Sequence, residues 1–201
     1  MTILSVNKTR ESMGALRSFF VYGRIASFFC VTGKRDLIVN KKVRNLTYSA
    51  VLAAIYVTLT HLQNIIFPNS ASMAVQFRLS EALCVLAFFT PAAIPGLSLG
   101  CLLFNLTSGA ALPLDFLVGT AATALSTWTM WLTRRVTLKT YPLPGLLMPA
   151  LFNAFLVGWE LSVYVGGGFA MNALLVALGE AAVLLFPGAM LYYAIQRRKI
   201  L

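Results

Sequence analysis

Only six acidic side chains occur in 201 residues, and four of them, Glu81, Asp115, Glu160 and Glu180, fall in or at the ends of long apolar stretches. An ionised side chain at the centre of a membrane helix costs on the order of 2.5–3.5 kcal/mol on insertion scales, so four such acids call for a function. The chemistry a carboxylate offers there is acceptance: it can take two N–H donors side by side, in bonds stronger than those to a neutral oxygen. Arg78, three residues before Glu81, and the amides Asn105 and Asn153 add donors in the same stretches. Structural roles compete with this. Arg78 can pair with Glu81 or Asp115, Asp115 following Pro113 suits the first turn of a helix, and Glu180 can be a buried partner of Asn153.

Other chemistries are thinly supplied. Cys30, Cys84, Cys101 and the lone His61 show no spacing for a disulfide framework or a zinc site. His61 reads as a pore-side or interfacial polar residue. No G-x-x-x-x-G-K-[ST] phosphate loop occurs, so any ATP hydrolysis belongs to another polypeptide. No cofactor or metal is expected.

The elements that must hold these residues are apolar helices. Hydrophobic residues make up 59% of the chain and charged ones 11%, against about 45–50% and 25% in soluble domains. That composition excludes disorder and disfavours a soluble fold. Six membrane segments are expected at about 45–67, 79–90, 93–110, 114–133, 146–165 and 169–195. The second and third are divided at Thr90-Pro91-Ala92-Ala93-Ile94-Pro95-Gly96, where two prolines four residues apart favour a turn. Gly166-Gly167-Gly168 makes the turn between the last two.

The formal charge of +10 would suggest nucleic-acid binding in a soluble protein, but its distribution argues for a membrane. Nine basic residues precede the first apolar run, and two further groups are Arg134, Arg135 and Lys139, then Arg197, Arg198 and Lys199. Six crossings with both termini in the cytoplasm put all three groups on the inner side, as basic loops require, and leave only Arg78 outside. With that orientation Glu81 and Asp115 open their segments from the outside. Glu160 lies about five residues from the outer end of its segment, and Glu180 about eleven residues into the last one. Gln63, Asn64, Gln76 and Asn172 share the outer bias, which suggests a cup open to the outside. Residues 1–44 form a basic extension, read either as a poorly ordered tail or as an interfacial helix with Phe19, Phe20, Phe28 and Phe29 in the acyl boundary. Residues 197–201 are a basic cytoplasmic tail.

The run Gln76-Phe77-Arg78-Leu79-Ser80-Glu81-Ala82-Leu83, continuing through Phe88 to Leu97 and on to Gly100, Cys101, Leu102 and Asn105, resembles the QueT family. So do Leu151-Phe152-Asn153-Ala154 with Gly158 and Glu160, and Leu178-Gly179-Glu180. The resemblance covers about residues 43–196. It implies an all-α, six-transmembrane-helix bundle: the substrate-binding S component of an energy-coupling factor (ECF) transporter in the cell membrane, taking up a queuosine precursor. It also implies partners, namely a transmembrane coupling protein and two ATPase subunits. Ala50 and Ala54 on the first segment supply the small-xxx-small pattern for packing on the coupling protein, although Ser49 and Ala53 would serve as well. The implied 7-deazaguanine ligand presents adjacent N–H donors and a carbonyl. Glu81 and Glu160 are the expected contacts, with Asn105, Asn153 and Arg78 contributing, Asp115 and Glu180 as further candidates, and Phe77, Trp159 and Tyr164 as aromatic faces. An S component for another vitamin-like molecule, or a small membrane-embedded enzyme using a carboxylate pair, are the alternatives.

Overall fold

The computed structural model of the chain describes residues 40–68, 77–109, 111–137 and 142–198. Most of the N-terminal extension, with both readings of it, lies outside these residues, as do Gln76 and Lys139.

Every described element is helical. Helix α1 (Lys41–Ile66) starts four residues earlier than expected because the Asn40 side chain accepts the Lys42 N–H and caps it. A ten-residue 3-10 helix, Leu79–Phe88, follows. Then come α2 (Ala93–Thr107), α3 (Asp115–Leu132), a single turn α4 (Leu143–Leu146), α5 (Met148–Tyr164) and α6 (Phe169–Val183). A π-turn at Leu184–Gly188 joins α6 to α7 (Ala189–Arg198). The break expected at the two prolines is present, since Thr90–Ala92 lie outside any helix. Gly166 and Gly167 have φ of 88° and 83°, the left-handed region that glycine enters without strain. The Asn172 amide donates to the Gly166 carbonyl and closes that turn.

Among the described residues, three stretches are long and apolar enough to cross a membrane: Lys41–Ile66, Leu143–Tyr164 and Phe169–Arg198. The 3-10 helix and α2 are shorter apolar helices. Helix α3 is diluted by hydroxyls, and its buried Thr123, Ser126 and Thr127 donate to carbonyls four residues back, at 2.6–3.0 Å. Such self-satisfied hydroxyls can enter an apolar interior without partners from other helices.

Close packing rests on small residues. α1 packs on α2, α2 on α3, α3 on α5 and α5 on α6. At the α1–α2 crossing Ser49 and Ala53 are buried against Gly96 and Gly100, and the Ser49 hydroxyl donates to the Ala92 carbonyl at 2.8 Å. A methyl on Gly96 would lie 2.7 Å from the Ser49 carbonyl oxygen, and one on Gly100 2.7 Å from Tyr56 Cβ. The crossing therefore takes the Ser49/Ala53 face of α1 inward and leaves Ala50 and Ala54 exposed. Overpacking of a filled interface costs about 1–3 kcal/mol. Gly96→Ala is expected to lower the thermal unfolding midpoint in detergent, whereas Ala54→Gly, on the exposed face, shifts it by less than half as much.

Candidate functional site

The 3-10 helix is the centre of the fold: it touches α1, α2, α3, α6, the π-turn and α7. In such a helix residues three apart eclipse one another. Glu81, Cys84 and Ala87 accordingly form one buried stripe, and Arg78, extended just before the helix, is buried next to it, none of the four more than 2% exposed. The ten residues also reach further than an α-helix of equal length, about 20 Å against 15 Å at 2.0 and 1.5 Å per residue.

Around this stripe four acids are buried. Glu81, Glu160 and Glu180 are 0% exposed and Asp115 is 2% exposed. Glu81 is internally satisfied: the Tyr56 hydroxyl donates to Oε1 at 2.6 Å and the Cys84 thiol to Oε2 at 3.1 Å. Glu160 and Glu180 are not. Neither oxygen of either carboxylate meets a hydrogen-bond donor among the described residues. The side chains placed to complete them are Asp115 beside Glu160 and Asn153 beside Glu180, while Arg78 lies within electrostatic reach of both and Glu81 of Glu180. Asp115 is divided in use, as Oδ2 accepts the Leu112 N–H at 2.8 Å and shapes the entry to α3, while Oδ1 meets no hydrogen-bond partner among the described residues. Asn105 Nδ2 donates to the Asp115 backbone carbonyl at 2.7 Å and to Cys101 Sγ at 3.6 Å, while its Oδ1 has no partner among the described residues. The Arg78 guanidinium comes within 4.0 Å of Cys101 Sγ, and Gly119 makes room beside it: a Cβ there would stand 3.6 Å from Nη1 and 2.8 Å from Asn105 Nδ2.

Of the residues singled out from the sequence, Arg78, Glu81, Asn105, Asp115, Asn153, Glu160 and Glu180 are all buried. Trp159 does not join them. It is 49% exposed, because adjacent helical residues point about 100° apart and Glu160 takes the inward direction. Phe77 and Tyr164 are also exposed, at 40% and 43%, so the aromatic side chains expected against the ligand stand at the rim or outside. His61 bonds Thr107 at 3.0 Å and lies edge-on to Phe104, consistent with an interfacial polar residue. Tyr56, Cys84 and Gly119 were not anticipated. Only Cys84 had a local signal, its spacing of three from Glu81.

An unfilled acceptor set of this kind costs several kcal/mol in a dry interior, and it lies under an apolar exterior: Leu46, Ile65, Phe186 and Met190 are 71–77% exposed. Charged inside and greasy outside is the inverse of a water-soluble protein, and with three membrane-length helices it defines a helical membrane protein with a polar interior site. Residues 46–197 match the family model of the QueT transporter. The chain belongs to that family and is a transporter component of the membrane. No curated protein and no solved structure gives a significant match.

The two kinds of buried acid separate in a stability measurement. Tyr56→Phe deprives the Glu81 carboxylate of a donor and should destabilise the ligand-free protein by about 1.5–3 kcal/mol. Glu160→Gln replaces a buried carboxyl that no donor among the described residues satisfies, and it should leave the unfolding midpoint unchanged or higher.

Proposed function

We propose that this chain is the substrate-binding S component of an ECF-type transporter, importing a 7-deazaguanine queuosine precursor through the cell membrane. The observation that carries the reading is that two fully buried acids, Glu160 and Glu180, have four oxygens that meet no hydrogen-bond partner among the described residues. A deazaguanine ring brings what they lack, an N–H beside an exocyclic amine, and a carboxylate accepts both at once. Arg78 then faces the ring carbonyl, the free Oδ1 atoms of Asp115 and Asn105 accept remaining donors, and Asn153 steadies Glu180. Glu81, already bonded to Tyr56 and Cys84, shapes the site from behind, so Glu160 and Glu180 take precedence as contacts.

In this reading the bundle has six crossings with both termini cytoplasmic. The exposed Ala50/Ala54 pair faces the coupling protein, whose two ATPase partners hydrolyse ATP. A groove of about 460 Å³ beside that pair supports the assignment. It is lined by Ala50, Leu46, Pro91, Pro95 and Leu99, with Lys42 at its basic end. Close approach of a second helix needs small residues and an apolar trough, and both are present. The chain binds and delivers its cargo without changing it.

Titration of the detergent-purified protein with 7-cyano- and 7-aminomethyl-7-deazaguanine tests the substrate class. Saturable binding of at least one is expected, weakened about tenfold or more in Glu160→Gln, since a charged hydrogen bond contributes about 1.5–3 kcal/mol. A folded protein that binds neither contradicts the assignment. Ala54→Trp should abolish uptake by the assembled transporter while sparing ligand affinity, and normal uptake in that variant would remove the Ala50/Ala54 face from the interface.

A further inference from the structure

We infer that Gln63 is the residue that positions Arg78, by clamping the backbone on both sides of it. Gln63 lies one turn from the end of α1 and is 3% exposed. Its Nε2 donates to the carbonyl of Phe77, and its Oε1 accepts the N–H of Leu79 at 2.7 Å. Only one orientation of a carboxamide satisfies both bonds, so the amide is read without ambiguity. A side chain thus imitates a β-ladder partner, pairing with the peptides before and after a single residue.

That residue is Arg78. Its backbone is extended, with φ −104° and ψ 100°, and it precedes the 3-10 helix without any side-chain cap of its own. Helix starts leave N–H groups without intrahelical acceptors. Gln63 supplies the acceptor for the first of them, Leu79. With both flanking peptides pinned, the direction of the Arg78 Cα–Cβ bond is set. The side chain runs inward, 2% exposed, to the space beside Gly119 and Cys101. A free arginine side chain carries about 2 kcal/mol of rotamer entropy, so a guanidinium fixed before the ligand arrives binds it more tightly than one ordered by it. Gln63 need not touch the ligand to do this.

The inference concerns the geometry of Arg78, and its effect on affinity rests on the reading of the buried cluster as the ligand site. Two readouts keep them apart. The first needs no ligand: modification of Arg78 by phenylglyoxal, followed by peptide mass analysis in the full-length protein. Gln63→Met has similar reach but neither makes nor accepts these bonds. It should speed modification of Arg78 at least about fivefold while leaving Arg134 and Arg197 unchanged, as expected for the loss of two buried hydrogen bonds. An unchanged Arg78 rate in a folded Gln63→Met protein overturns the inference, whatever the wild type binds. The second readout is affinity for 7-aminomethyl-7-deazaguanine. Gln63→Met should lose about tenfold at every pH. Gln63→Glu should approach wild-type affinity as pH falls, because a protonated carboxyl donates one bond and accepts the other. A Gln63→Glu protein that tracks Gln63→Met at all pH values marks Gln63 as a simple anchor and overturns the positioning role. Absence of wild-type binding counts against the substrate reading alone, and the labelling result still decides Gln63.

Discussion

One guanidinium and four carboxyl groups buried together, out of reach of water, are what the rest of this protein is arranged around. Removing charges from water costs several kcal/mol each even after relaxation, and attraction between them repays that only where the geometry is good and the remaining valences are filled. Glu81 meets this condition through Tyr56 and Cys84. Among the described residues, Glu160 and Glu180 have no such partners. The bundle therefore carries a standing deficit of hydrogen-bond donors at its centre, which its stability must come from elsewhere to tolerate.

It comes from tight helix contacts at the periphery of the cluster. Ser49 and Ala53 meet Gly96 and Gly100 on one side, and Gly158 meets Ala173 on the other. Between them the 3-10 helix spreads ten residues over the depth an α-helix would need thirteen or so to cover. Its threefold repeat turns Glu81, Cys84 and Ala87 to the same side, which a 3.6-residue repeat would have fanned apart. The π-turn at Leu184–Gly188 has a related cause. Pro187 has no N–H to give and would crowd the Val183 carbonyl in a regular helix, and a widened turn absorbs the misfit against the 3-10 helix. Both departures from α-helical geometry adjoin the charged cluster, one a turn beyond Glu180 and the other carrying Glu81.

Much of this is written openly in the sequence. Apolar length located the helices, the two prolines located the break after Phe89, and acids within apolar stretches pointed to the buried cluster. Proximity in the chain also put Arg78 and Glu81 within one turn of each other, and both are buried. What stayed hidden depends on contacts between distant segments. Nothing near Glu81 announces that Tyr56, twenty-five residues earlier, donates to it, nor that Gln63 holds the backbone at Phe77 and Leu79. The choice between Ala50/Ala54 and Ser49/Ala53 was equally open, because both pairs have the same spacing. Packing against Gly96 and Gly100 resolves which pair is inside. The outward direction of Trp159 was hidden for a related reason: depth along a helix can be counted from sequence, but which side of it faces the interior follows from its neighbours.

The central claim is that the donor-poor carboxylates Glu160 and Glu180 are completed by a small molecule with adjacent N–H groups. It is tested most directly by purifying the protein from its native membranes, denaturing it, and identifying the released ligand by mass, alongside the Glu160→Gln/Glu180→Gln double variant. A 7-deazaguanine released from the wild type and absent from the folded double variant is the predicted result. The same molecule carried equally by both, or a ligand with no paired N–H donors, would contradict it.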